Sequence, residues 1–144
     1  MITKASVKAL DLIKKYEGLR LEAYQDSAGV WTIGWGHIHN ACPGKVITMR
    51  EAEMFLKWDV EDTERVINFL NLNLTQNQYD ALVSWVFNLG IGNLKRSTLF
   101  KIMSQDPNDP AIRTEWIKWR KAGGVVLHGL VKRRKEEIDL YFTI

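Results

Sequence analysis

Apolar residues recur at helical spacing along most of the chain and alternate only near its N-terminus. From Thr3 to Tyr16, Val7, Leu10 and Ile13, with Ala9 or Tyr16 beside them, predict a helix capped by Thr3 and stopped by Gly18. Thr48 followed by Glu51 reads as a capping box. It opens a helix to about Asn68 with Ala52, Phe55, Leu56, Val60 and Ile67 on one face. At 1.5 Å per residue it spans roughly 30 Å, long enough to bridge two lobes. Thr75 with Gln78 is a second capping box, with Tyr79, Leu82, Val83 and Val86 behind it. A glycine-punctuated turn over residues 87–93 ends that helix. Ser97 caps a short helix carrying Leu99, Phe100 and Met103. Asp109 as cap and Pro110 in the first turn start a helix over 111–121, with Ile112 and Trp116 inward and Trp119 a further candidate. Gly123-Gly124 breaks it. The last helix runs from Leu130 to about Tyr141, with Val131, Ile138 and Tyr141 apolar.

Residues 20–47 follow a different rule. Gln25 to Gly29 is a cluster of turn formers, and Val30, Trp31, Thr32, Ile33 and Trp35 are β-branched or aromatic. They predict a short antiparallel hairpin, with Gly34 and Gly36 marking a bulge or a close backbone approach. The sum is a mostly helical α+β chain, read as one domain over 1–144. A small β-containing lobe covers roughly 14–58, and a helical lobe covers 1–13 and 59–144.

Composition narrows the class. At 144 residues, with 46% hydrophobic and 26% charged, the chain can bury a core, and no apolar run approaches the length of a membrane span. Residues 1–15 lack the apolar segment of a secretory signal, so residence in the cytoplasm is expected. A single cysteine, Cys42, excludes an internal disulfide and reads as an ordinary thiol. The net charge of +3 permits an anionic partner, but the late basic run (Lys118 to Lys135) carries no nucleic-acid-binding signature and reads as a solvated helix face.

The chemistry concentrates between Tyr16 and His37. Glu17 falls at the end of the first helix, beside Tyr16 and Leu19, where the helix dipole disfavours negative charge. That position suits a proton donor. Asp26 lies in a wet turn and suits a base or charge stabiliser, and the Thr32 hydroxyl suits water binding. Two carboxyl groups in unlike surroundings are what glycosidic cleavage requires.

Glu17, Asp26 and Thr32 fit the spacing E-x8-D-x5-T and so resemble the catalytic signature of the phage-type lysozymes, the endolysins of glycoside hydrolase family 24. The surrounding text is similar as well: Tyr16-Glu17-Gly18, Thr32 to His37, Trp85 to Gly90, Ser97-Thr98-Leu99, and Trp119 through Gly123-Gly124 to Glu136. The resemblance covers nearly the whole chain. It implies a lysozyme-like pair of lobes around a cleft. It also implies hydrolysis of the β-1,4 bond between N-acetylmuramic acid and N-acetylglucosamine in peptidoglycan, with inversion and without cofactor or metal, for lysis of a bacterial host. Glu17 is then the acid, while Asp26 and Thr32 orient water. Phe87, Asn88, Thr98, Gly123 and Gly124 are the expected substrate-binding residues.

Several positions carry two readings. Phe87 is either core or a stacking surface, and Gly123-Gly124 either let the backbone approach the glycan or simply end a helix. Asn88 offers an amide suited to acetamido groups. His37 is a second base or a brace for the sheet, with Asp59 as one possible partner. Arg133 and Arg134 meet acidic stem peptides or buttress the fold. Of the six tryptophans, Trp58, Trp85 and Trp116 fit core stripes, whereas Trp31 and Trp35 are the expected exposed ones. Competing functions are a lytic transglycosylase and a non-catalytic wall- or nucleic-acid-binding module. An enzyme without an export signal would wait for a separate hole-forming membrane protein, without inserting into the membrane itself, and a monomer is expected.

Overall fold

The longest helix sets the frame. The computed structural model describes residues 1–144, and in it α2 spans Met49–Asn68. It opens on the capping box expected from sequence: the Thr48 hydroxyl accepts from Glu51 N, and Glu51 reaches back to Thr48 N. Ahead of it come α1 (Val7–Glu17) and an antiparallel hairpin, β1 (Arg20–Gln25) with β2 (Trp31–Gly34), in which Tyr24 lies opposite Thr32. A bulge falls between Arg20 and Tyr24. Behind α2 come α3 (Gln76–Leu89), α4 (Ile91–Arg96), α5 (Thr98–Gln105) and α6 (Ala111–Trp116). A second hairpin, β3 (Lys121–Ala122) with β4 (Val125–Val126), leads into α7 (His128–Tyr141). The chain is α+β and mostly helical, as its patterning predicts.

Helix α3 is the hub. Every residue from Gln78 to Val86 is buried, and the helix packs against α7, α1 and α2. A helix enclosed on all sides has no solvent face to keep polar, which is why its apolar residues outrun a single stripe. Its polar side chains are consequently paired. Asp80, fully buried, accepts from Ser6 N, from the Ser6 hydroxyl and from Gln76. One apolar cluster runs from Ala9 and Ile13 through Ile33, Leu56 and Trp85 to Tyr141.

The structure departs from the sequence reading at identifiable places. The first helix is capped by Ser6, not Thr3, and it buries Ala9, Leu12 and Ile13 while Val7 is exposed. Ser6 wins because its backbone and hydroxyl are also held by Asp80. The residues after Leu89 form α4 rather than an open turn, with Gly90 at positive φ starting it. The helix begun at Pro110 ends at Trp116, not near 121. The chain beyond it pairs as β3 and β4, and Gly123-Gly124, both at positive φ, make the hairpin turn. The tryptophans are partly exchanged: Trp35 is buried under the Lys14 ammonium, and Trp58 is exposed on α2.

His37 follows β2 and fastens the first hairpin to α2. Its backbone bridges to Ile33, its ring stacks on Phe55, and its Nδ1 lies 2.7 Å from Asp59 Oδ2. Burial pushes the Asp59 carboxyl above its ordinary range, against the pull of the His37 hydrogen bond. The bracing reading of His37, with Asp59 as partner, is the one the structure bears out. Replacing Asp59 by Ala leaves the buried imidazole without its partner and is expected to lower unfolding free energy by about 1–3 kcal/mol in urea titrations. Asp62→Ala removes only a solvent-exposed partner of Arg65 and should change it by less than about 0.5 kcal/mol. Equal effects would refute the brace.

Candidate active site

Glu17 is the last residue of α1, and Gly18, at φ 69°, turns the chain away behind it. The side chain reaches a cavity of about 280 Å³ lined by Tyr16, Glu17, Asn88, Leu127, Leu130 and Arg133, with Gly129 at its rim. Two features fix the carboxyl group there. Its Oε2 accepts from Arg133 Nη1 at 2.7 Å. On the other side lies Gly36, two residues beyond β2: a Cβ built on Gly36 would stand 2.6 Å from Glu17 Oε1. Gly36 is also at positive φ, so a side chain there is opposed by sterics and by backbone conformation together. Of the two readings of Gly34 and Gly36, a bulge or a close approach, Gly36 shows the close approach.

Sequence reasoning expected the negative pole of the helix to dominate around Glu17 and did not place a cation there. The cation belongs to a buried ionic cluster. Arg133, Arg134 and Glu137 are all buried, Glu137 completely. The Glu137 carboxylate accepts from the Ser84 hydroxyl at 2.5 Å, Trp116 Nε1 at 3.2 Å, Arg133 Nε at 3.3 Å and Arg134 Nη2 at 3.0 Å. Burial drives the Glu137 carboxyl upward, and the two guanidinium groups pull it back. Arg133 also donates to the Ser84 carbonyl, and Arg134 to Asn88 Oδ1 at 2.9 Å. The late basic run is therefore not all solvated face: two of its members are core, and they buttress the fold. The signal was present. Leu130, Arg133, Arg134, Glu137, Ile138 and Tyr141 form one stripe at spacings of three and four, with charged residues where apolar ones usually stand.

Tyr16 adds a second polar arm. Its hydroxyl donates to Glu136 Oε1 at 2.5 Å, and the same oxygen holds Lys15. Burial and the neighbouring Glu136 carboxylate raise the Tyr16 phenol well above its usual range, so it stays a neutral donor.

Asp26 and Thr32 are gathered on the first hairpin around Val30. Asp26 Oδ1 accepts from Ala28 N and Val30 N, both at 2.9 Å, which leaves Oδ2 without a protein partner. The Thr32 hydroxyl donates to the Val30 carbonyl at 3.0 Å, so its oxygen remains open to a further donor. Asp26 is exposed, Thr32 buried. The structure thus brings Glu17 and Asn88 to one cavity, and Asp26 and Thr32 to one turn. Gly36 joins the two groups by seating the hairpin's end on Glu17.

The other expected residues lie apart. Phe87 is half-buried, with part of its side chain packed against the core. Thr98 is exposed at the start of α5, outside the Glu17 cavity. Gly123 and Gly124 are exposed, with open space where their Cβ atoms would be. Cavity size alone would mislead: a groove of about 490 Å³ lies elsewhere, between the N-terminal segment and α2, over Leu10, Met54 and Val60.

Comparison with known proteins places the chain in a family. The family model described as phage lysozyme matches residues 14–137. An endolysin of Acyrthosiphon pisum secondary endosymbiont phage 1 is 46% identical over 141 residues, covering 94% of this chain and 96% of that protein. An endolysin of Bacillus phage B103 is 41% identical over 142 residues and covers 96% of this chain, which spans 54% of that longer protein. Among solved structures, the muramidase domain of SpmX from Asticaccaulis excentricus superposes with a TM-score of 0.87 at 34% identity, covering 98% of this chain and 99% of that one. The matched span holds the first hairpin, the long helix and every member of the Glu17–Arg133–Glu137 cluster. The chain belongs to the phage lysozyme family and is a muramidase, a hydrolase with the lysozyme-like fold.

Proposed function

We propose that the chain hydrolyses the β-1,4 bond between N-acetylmuramic acid and N-acetylglucosamine in peptidoglycan by a single inverting displacement, and that this lyses a bacterial host. The observation that carries the reading is the Glu17 carboxyl, held at a cavity between Arg133 and Gly36. Glu17 gives its proton to the leaving oxygen. The carboxylate that results stays within ion-pair distance of Arg133, which holds the new negative charge. Water is delivered from the hairpin. Asp26 Oδ2 and Thr32 Oγ1 each have accepting capacity left. A water donating both its hydrogens to them would keep a lone pair for attack, and Asp26 would take the proton released.

The chain works as one lysozyme-like domain, a monomer, with Phe87, Asn88, Thr98, Gly123 and Gly124 along the glycan path. It needs no cofactor, metal or nucleic acid. No helix is long and apolar enough to cross a membrane, which supports a protein held in the host cytoplasm until a separate hole-forming membrane protein admits it to the wall. A lytic transglycosylase would need the acid but neither Asp26 nor Thr32, so the ordered Asp26–Val30–Thr32 turn favours hydrolysis.

Muropeptides released from purified murein are expected to carry reducing ends in mass spectra; 1,6-anhydro ends would identify a transglycosylase instead. Glu17→Gln should lower the rate by at least about 100-fold, the scale of one general acid, with the folded protein retained by circular dichroism. Wild-type clearing by that variant would sink the assignment of the acid. Gly36→Ala pushes against the same carboxyl from outside the reacting groups and is expected to lower kcat about tenfold or more with little change in wall binding. Unchanged kcat would mean that the contact with Glu17 is incidental. Expression of this chain alone should leave cells intact, with lysis on permeabilising the inner membrane by chloroform. Lysis without it would contradict dependence on a hole-forming partner.

A further inference from the structure

Asn88 shares the cavity of Glu17, and the protein has fixed which way its amide faces. Its Oδ1 accepts from Arg134 Nη2 at 2.9 Å. Arg134 is fully buried and cannot turn. Its Nε lies 2.7 Å from Glu137 Oε1, and its Nη2 also donates to Glu137 Oε2 at 3.0 Å. Glu137 is in turn held by Ser84 and Trp116. A guanidinium has donors only. A flipped Asn88 would set its N–H2 group against the guanidinium N–H and lose a charge-assisted bond. The Asn88 nitrogen has no partner within the protein. Around the same cavity Leu127 and Leu130 supply apolar surface.

We infer that Arg134 is a positioning residue that locks the Asn88 amide with its N–H2 group toward the cleft, so that the cleft selects sugars carrying a carbonyl acceptor, the 2-acetamido group. The amide nitrogen donates to the acetamido carbonyl, and Leu127 and Leu130 face its methyl. This rests on the muramidase reading above and adds a specificity determinant to it. A free 2-amino sugar offers neither acceptor nor methyl, and its ammonium would face the donors of Asn88.

The test compares three substrates: native murein, the same murein de-N-acetylated, and that material re-acetylated with acetic anhydride. Wild-type enzyme is expected to prefer the native and re-acetylated walls over the de-N-acetylated one in kcat/KM. Asn88→Asp keeps an acceptor for Arg134 but has no donor for the substrate. It should reduce that preference by about tenfold, the scale of one hydrogen bond, chiefly through KM. Arg134→Lys keeps a cation beside Glu137 but loses the planar fork. It should reduce the preference in the same direction while the thermal transition remains cooperative. If both variants lose activity on all three walls in equal proportion, Arg134 and Asn88 are merely structural and the inference is overturned. If wild-type enzyme cleaves none of the three walls, it is the muramidase reading that fails, and this inference with it.

Discussion

A carboxylate with no access to water, Glu137, sits between two buried guanidinium groups, and the helical half of the molecule is arranged around keeping that charge satisfied. An isolated buried carboxylate is penalised by several kcal/mol. Here two guanidinium groups, Arg133 and Arg134, flank the Glu137 carboxylate, and Arg133 also reaches the Glu17 carboxyl group; the four formal charges cancel in the form in which Glu17 is ionised. Ser84 and Trp116 add hydrogen bonds to the Glu137 carboxylate from α3 and α6. Glu17 and Arg133 both line the cavity, and Glu17 is the most open member of the quartet, with 20% of its side chain exposed against 3% or less for the others.

The Glu17 side of the site is built on helices and the Asp26 side on a hairpin. Around Glu17, α1, α3 and α7 converge and hold the carboxyl group against Arg133. The proposed role of Asp26 calls for access to water and an oxygen left over. A tight turn gives both, since two backbone N–H groups hold one oxygen and leave the other free. The two sides meet at Gly36, the position where any side chain would collide with Glu17.

Much of the fold was legible because its punctuation is local. Both capping boxes, the Ser97 cap and the first hairpin rest on residues within four positions of one another, and all occur as read. The failures share a cause of the opposite kind. Ser6 displaces Thr3 as cap because Asp80, far away in sequence, holds it. Two arginines from a run that looks solvent-facing are interior because Glu137 and Ser84 await them. The second hairpin replaces the tail of a helix because Gly123 and Gly124, read as a break, instead reverse the chain at positive φ. The three-residue signature was visible at once, whereas Arg133, which completes the setting of Glu17, is 116 positions away. No local pattern announces such a partner, although a charged stripe at helical spacing marks where one is wanted.

What remains is how the hairpin is held in register with the helical side. It touches the rest of the molecule chiefly through α2. Near the start of that helix Ala52 lies under Gly34, and one turn further on Phe55 and Asp59 take the His37 ring between a stacked aromatic and a carboxylate. The later half of α2 buries Val60, Thr63 and Ile67, and the helix packs on α3. One continuous helix thus carries the hairpin at one end and the hub at the other. The hairpin that carries Asp26 and the hub that packs against α1 and α7 are therefore both anchored on the same helix. The brace at His37 is then more than local reinforcement. It ties the segment that follows β2, and with it the end of the hairpin that meets Glu17 at Gly36, to the middle of α2, independently of the buried ionic cluster on α7.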